Sequence, residues 1–182
     1  MIKYHTQKES IMKAFFFLLI STLLFANAPL PVDNVNIKKF SGLWYEVART
    51  SNSYQEECVA SSVEYKLQKD NTYKVFNRCF KNVIGGELIE YKGTAKPTKG
   101  ESMSQIDMTY YYFFTKQYRV IHLEKDYSAA VVADEDLEQV WVMSRDPQLQ
   151  KQKLSKILAK LGKSMNLKRL IYTPQDAKGR YK

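Results

Sequence analysis

The chain has 182 residues, 45% of them hydrophobic, and carries 28 Lys and Arg against 19 Asp and Glu, a net charge of +9. That length suits one domain with a sizeable core. The basic excess is concentrated in residues 151–168; it reads as a solvated helix face first and as weak attraction to an anionic membrane surface second, and the export signal that precedes the domain argues against nucleic acid.

In chain order, Lys13 precedes an apolar run, residues 14–25, that ends in the small-x-small junction Ala26-Asn27-Ala28. The run is too short for a spanning helix, which needs about 20 residues, and fits a cleaved export signal. Residues 1–28 are therefore read as a signal peptide, with Met12 as an alternative true start. Residues 29–178 form one domain and 179–182 a C-terminal tail. No cysteine lies near the junction to accept a lipid anchor, so a soluble exported protein is expected.

Eight strand-like runs follow: Gly42–Thr50, then residues 59–67, 72–80, 87–95, 103–108, 118–123, 127–133 and 139–145. Polar or Gly/Pro turns separate them, and Tyr, Phe, Val and Thr are frequent. This pattern predicts an antiparallel up-and-down barrel or a sandwich. The period then changes. Residues 148–162 place Leu154, Ile157, Leu158 and Leu161 at helical spacing. Asp146 fits the N-cap, Pro147 the first helical position and Gly162 the stop. Residues 169–173 read as one last strand.

Cys58 and Cys79 are the only cysteines. In an exported chain such a pair suggests a disulfide. A hairpin turning at residues 68–71 brings residue 58 opposite roughly residue 81, a diagonal step from Cys79 that a bulge could close. The bond would stabilise the fold by about 3 kcal/mol in the chain-entropy model.

Three motifs then stand in order: Gly42-Leu43-Trp44-Tyr45-Glu46 opening the first strand, Asp126-Tyr127 before the seventh, and Trp141-Val142-Met143-Ser144-Arg145 ending the eighth. Together they resemble the lipocalins, more closely the bacterial branch and its apolipoprotein D-like relatives, over residues 35–173. The resemblance implies an all-β fold: an eight-stranded antiparallel up-and-down lipocalin barrel with one C-terminal α-helix and a short final strand. It also implies a periplasmic protein. Gly42, Trp44, Asp126, Tyr127 and Arg145 would build the closed floor, with the Arg145 guanidinium stacked on the Trp44 indole, a cation–π contact of about 2 kcal/mol.

Side chains alternate along a strand, and an eight-stranded barrel has room inside for side chains or one small ligand. If Arg145 faces the floor, Met143, Trp141 and Gln139 point inward. If Trp44 points inward, so do Glu46 and Ala48; Ala48 clears space, and Glu46 needs a partner such as Arg145 or a tyrosine. Tyr110-Tyr111-Tyr112-Phe113-Phe114 falls between the fifth and sixth strands, near the open end, and cannot all face one core. Tyr110, Tyr112 and Phe114 are the candidate rim, continued by Tyr118.

The ligand these residues suggest is a small hydrophobic or amphipathic lipid, a fatty acid or lysophospholipid. It would be held by burial of its chain at about 0.8 kcal/mol per CH₂, for envelope lipid storage, transport or maintenance. His122 is the one histidine after residue 28, and no Cys-x-x-Cys, His-Glu-x-x-His or Gly-x-Ser-x-Gly motif is present, so no metal, cofactor or catalysis is expected. Two rivals remain. One is a barrel packed shut, with the aromatic patch as a protein or homodimer interface. The other is a thiol enzyme, which would need a free Cys58 or Cys79.

Overall fold

The computed structural model describes residues 29–179; the signal peptide assigned to residues 1–28 and the last residues, 180–182, lie outside the described residues. A four-residue helix, α1 (Ile37–Phe40), comes first, capped by the Asn36 side chain, whose oxygen accepts from Lys39 N at 3.0 Å. A single turn is too short to show a hydrophobic period and leaves no signal in the sequence.

The eight strands are β1 (Gly42–Thr50), β2 (Cys58–Leu67), β3 (Tyr73–Lys81), β4 (Leu88–Pro97), β5 (Gln105–Tyr110), β6 (Phe114–Leu123), β7 (Ala129–Ala133) and β8 (Val140–Ser144). Each pairs antiparallel with the next, and β1 closes the ring by pairing with both β2 and β8. The loops β1–β2, β3–β4, β5–β6 and β7–β8 therefore share one end, the mouth. Strand β6 starts four residues before its predicted start, at Phe114, because residues 114–117 pair in register with β5.

The remaining elements are α2 (Lys151–Leu161), a 3-10 turn (Leu167–Arg169) and β9 (Leu170–Tyr172). Helix α2 begins later than predicted. Asp146 does not cap it; its carboxylate accepts from Gln148 N at 2.8 Å in a local turn, and the N-cap position falls to Gln150, which makes no side-chain cap bond. Strand β9 pairs with the mouth half of β1, from Ala48 to Thr50, while the floor half of β1 pairs with β2. The chain beyond β9 is laid on the barrel. Gln175 donates to the carbonyls of Glu46 and Ser61, both at 2.7 Å, and Gly179, assigned to a loose tail, lies against the Tyr45 ring.

Two hydrophobic cores result. The inner one fills the lower barrel with Phe40, Trp44, Tyr65, Tyr73, Val75, Met103, Ile106 and Val120. The outer one lies between α2 and the outside of β1, β7 and β8, where Ile157 and Leu161 pack among Ala48, Ala129, Val131, Val140 and Val142. Strand β7, Ala-Ala-Val-Val-Ala, is consequently buried at every position. A strand covered on both faces gives a continuous apolar run rather than alternation.

The motif residues meet at the closed end of the barrel. The Arg145 guanidinium carbon lies 3.8 Å from the Trp44 ring centroid. Its nitrogens donate to the carbonyls of Leu43, Lys39, Phe40 and Ser41 at 2.7–3.0 Å. Trp44 Nε1 donates to the Phe40 carbonyl at 2.9 Å. Gly42 sits at φ +95°, and a Cβ there would stand 3.3 Å from Arg145 Nη1, so both backbone and space favour glycine. Asp126 accepts from Ser128 N and Oγ, and the Tyr127 hydroxyl accepts from Asn36 N at 3.0 Å.

Candidate ligand cavity

Above this floor the barrel holds a cavity of about 180 Å³. One water needs roughly 10–15 Å³ on the same measure. Val63, Tyr65, Met108, Val132 and Met143 line it, with Tyr110, Tyr118 and Trp141 higher up and Tyr54, Tyr91, Tyr111 and Phe114 around the mouth. The wall also includes the Cys58–Cys79 disulfide, whose Cα atoms are 5.4 Å apart. Cys58 stands opposite Lys81 in register, so the bond is the expected diagonal one, and the β2 bulge follows it between Val59 and Ser62. Cys58 and Cys79 are bonded to each other, so neither offers the free thiol that the thiol-enzyme reading needs.

Five of the eight residues proposed for the ligand site line the cavity: Tyr110, Phe114, Tyr118, Trp141 and Met143. Three do not. Ala48 lies in the outer core, because β1 carries a bulge between Glu46 and Ala48 that turns the strand over by one residue. Gln139 precedes β8 and stands behind the wall, where its side-chain oxygen accepts from the Tyr118 hydroxyl at 2.9 Å. Tyr112 is fully exposed at the tip of the β5–β6 hairpin, beside Phe113 at 85% exposure. Tyr111 and Tyr112 both have positive φ, +51° and +67°, in the hairpin turn; Tyr111 still borders the mouth.

Tyr110 owes its place to Gly93 on the neighbouring strand. A Cβ on Gly93 would meet the Tyr110 ring at 2.9 Å and the Thr109 carbonyl at 2.7 Å, so only glycine lets the ring lie flat across the barrel. Asn77 Nδ2 then donates to the Tyr110 hydroxyl at 2.6 Å. Trp141 packs edge-on to Tyr118 with centroids 5.4 Å apart.

The inward carboxylate of Glu46, 5% exposed, does not meet Arg145 or a tyrosine. The same bulge brings Arg49 beside it; Arg49 Nη1 donates at 2.9 Å, Thr173 Oγ1 donates in a short bond, and Gln55 Nε2 donates at 2.7 Å. Gln55 also accepts from Trp141 Nε1 at 3.0 Å and from Asn52 Nδ2 at 2.9 Å. This one side chain therefore ties the β1–β2 loop to the cavity wall. Gln55 is hidden in the sequence because a glutamine in a polar loop carries no periodic signal.

Burial sets the protonation of the lining. Desolvation pushes the Tyr65, Tyr73 and Tyr118 phenols well above their ordinary range, and Tyr110 up to about 12, partly offset by the bond from Asn77. These phenols stay neutral across ordinary pH and act as hydrogen-bonding groups only. Desolvation under Trp44 lowers Arg145 to about 10, which leaves it cationic at neutral pH. The arrangement is an apolar cup with neutral polar atoms in its upper wall, suited to holding a hydrophobic body with a polar end.

Comparisons with known proteins agree with this geometry. The family described as a lipocalin-like domain matches residues 35–175. The chain is 29% identical to the outer membrane lipoprotein Blc of Vibrio cholerae over 172 residues, covering 91% of this chain and 100% of that protein. It is 27% identical over 128 residues to the outer membrane lipoprotein Blc of Escherichia coli K12, covering 70% of this chain and 72% of that one. Among solved structures, insecticyanin from the tobacco hornworm Manduca sexta superposes with a TM-score of 0.68 at 15% identity, over 83% of this chain and 86% of that one; at that identity it speaks for the fold alone. With the matched domain, the closed eight-stranded barrel and the Trp44–Arg145 floor together, the chain belongs to the bacterial lipocalin family.

Proposed function

Lipocalins bind small hydrophobic ligands, and we propose that this one binds and transports a single-chain lipid, a fatty acid or a lysophospholipid. The observation that carries this reading is the cavity itself: a closed, apolar lower wall of Val63, Met108, Val132 and Met143 under an upper wall of Tyr110, Tyr118 and Trp141. An acyl chain buried there would gain about 0.8 kcal/mol per CH₂, and the phenols would meet the polar end. The work of the protein would be lipid storage, transport or maintenance in the cell envelope, after export. The Blc relatives, named as outer membrane lipoproteins, support that location. The exposed lysines of α2, among them Lys151, Lys156 and Lys160, supply a weak attraction to anionic membrane surfaces.

A second reading rests on Tyr112 and Phe113, which stand in solvent without apolar neighbours to cover them. It makes the hairpin tip a contact to another protein or to a second copy of the chain. Native mass spectrometry of the exported protein, followed by extraction and lipid identification, separates the two. A fatty acid or lysophospholipid at near one per chain supports carriage. An empty protein that also refuses such lipids on titration overturns it and leaves the interface.

A further inference from the structure

Three charged side chains border the cavity: Glu46, Arg78 and Lys116. Two are each held by more than one protein group. The Glu46 carboxylate accepts from Arg49, Thr173 and Gln55. The Arg78 guanidinium is held by Glu64 at 2.9 Å and Glu90 at 2.7 Å. Lys116 differs. It shares the inward face of β6 with Phe114 and Tyr118, its cross-strand partner Met108 also lines the cavity, and its ammonium lies 5.7 Å from the Tyr118 ring centroid.

The Lys116 ammonium makes one protein hydrogen bond, to Asp134 Oδ2 at 2.9 Å. An ammonium has three N–H donors, so two stay available on the cavity rim. Asp134 is itself fixed, since its other oxygen accepts from Gln139 N at 3.0 Å, and it therefore holds the lysine in place. The other carboxylates of that loop that carry ion pairs are occupied elsewhere: Glu135 by Arg119 and Glu138 by Arg169, at 2.9 and 3.0 Å.

We infer that Lys116 is the residue that selects the ligand's head: the cavity takes single-chain amphiphiles with an anionic head, a carboxylate or a phosphate monoester, in preference to neutral ones of equal chain length. This rests on the reading of the cavity as a lipid site. Asp134 acts as the built-in counter-ion, and an incoming anion shares the ammonium with it. The side chain is about a third exposed, so the attraction is partly screened and weakens with added salt.

The test is a titration at low salt that follows Trp141 fluorescence, with three ligands of equal chain: dodecanoate, lauroyl lysophosphatidate and the neutral monolaurin. Wild-type protein should prefer the two anions, and their relative affinities show which anionic head is favoured. Lys116→Gln should lower the anion-to-monolaurin affinity ratio about tenfold, the scale of one charge-assisted hydrogen bond. Lys116→Arg should retain most of the ratio, and Asp134→Asn should raise it. Because the readout is a ratio, a general loss of folded protein does not mimic the effect. Monolaurin binding as tightly as the anions, or a ratio unmoved by Lys116→Gln and Asp134→Asn, overturns the role of Lys116 and leaves carriage standing. Wild-type protein that takes up none of the three overturns the lipid site and this inference with it.

Discussion

At the floor of the barrel, Arg145 gives its guanidinium to four main-chain carbonyls and stacks on a fully buried Trp44. At the mouth, Lys116 has one carboxylate, and Tyr112 and Phe113 have only solvent. At the first end the cation is matched from within the chain; the second keeps donors and aromatic surface unmatched. A buried cation left without partners would be costly, so the floor can be built only one way. The mouth is under no such constraint, and that freedom is where a ligand's identity can be decided.

The sharpest way to break this contrast is Trp44→Ala. It removes a buried indole and the ring under Arg145, and should cost about 3–5 kcal/mol; the midpoint of thermal unfolding should fall by roughly 10 °C for a domain of this size. Phe113→Ser, at the exposed tip, should change stability by less than about 0.5 kcal/mol. Equal losses in urea unfolding would erase the distinction between the two ends. Next in size is the disulfide at the mouth. Cys58→Ser with Cys79→Ser, or added reductant, should cost about 3 kcal/mol by loop-closure entropy, read as a drop in the unfolding midpoint.

Gly93→Ala tests the middle of the barrel. Its Cβ would press on the Thr109 carbonyl as well as the Tyr110 ring, and the backbone atom cannot move aside. A loss of about 1–3 kcal/mol is expected, together with altered Trp141 fluorescence as Tyr110 shifts. The smallest effect should have the opposite sign. Tyr111→Asn with Tyr112→Gly places residues suited to positive φ in the hairpin turn and should stabilise the protein by about 1 kcal/mol. If lipid uptake falls in that variant while stability rises, the strained aromatic tip is part of the binding apparatus.

The floor was the most legible part of the sequence because its three motifs are short and made of distinctive residue types. Strand number was legible through period alone; period left a barrel or a sandwich open, and the closed barrel came with the resemblance. The cavity was half legible. Counting upward from Arg145 reaches Met143 and Trp141, which border the cavity, since β8 is regular between them. Counting from Trp44 failed at Ala48, because a bulge leaves no signature in residue type. Gln139 failed because the strand ends before it. Lys116 was hidden by the boundary: with β6 begun at residue 118, the alternation of Phe114, Lys116 and Tyr118 could not be seen.

The extra residue in β1 has a consequence for how this chain tolerates change. Val47 is the extra residue: it and Ala48 both lie on the outer side, against the helix core, so Glu46 before them and Arg49 after them meet on the other side. Keeping all the residues but losing the bulge would impose a regular two-residue rhythm and exchange the faces, with Ala48 turned toward the chamber and Arg49 swung away from Glu46. Deleting Val47 should instead remove the bulge and leave Ala48 and Arg49 on their present faces. One residue added or removed between Trp44 and Glu46 flips one against the other, and should be as damaging as the loss of the floor tryptophan.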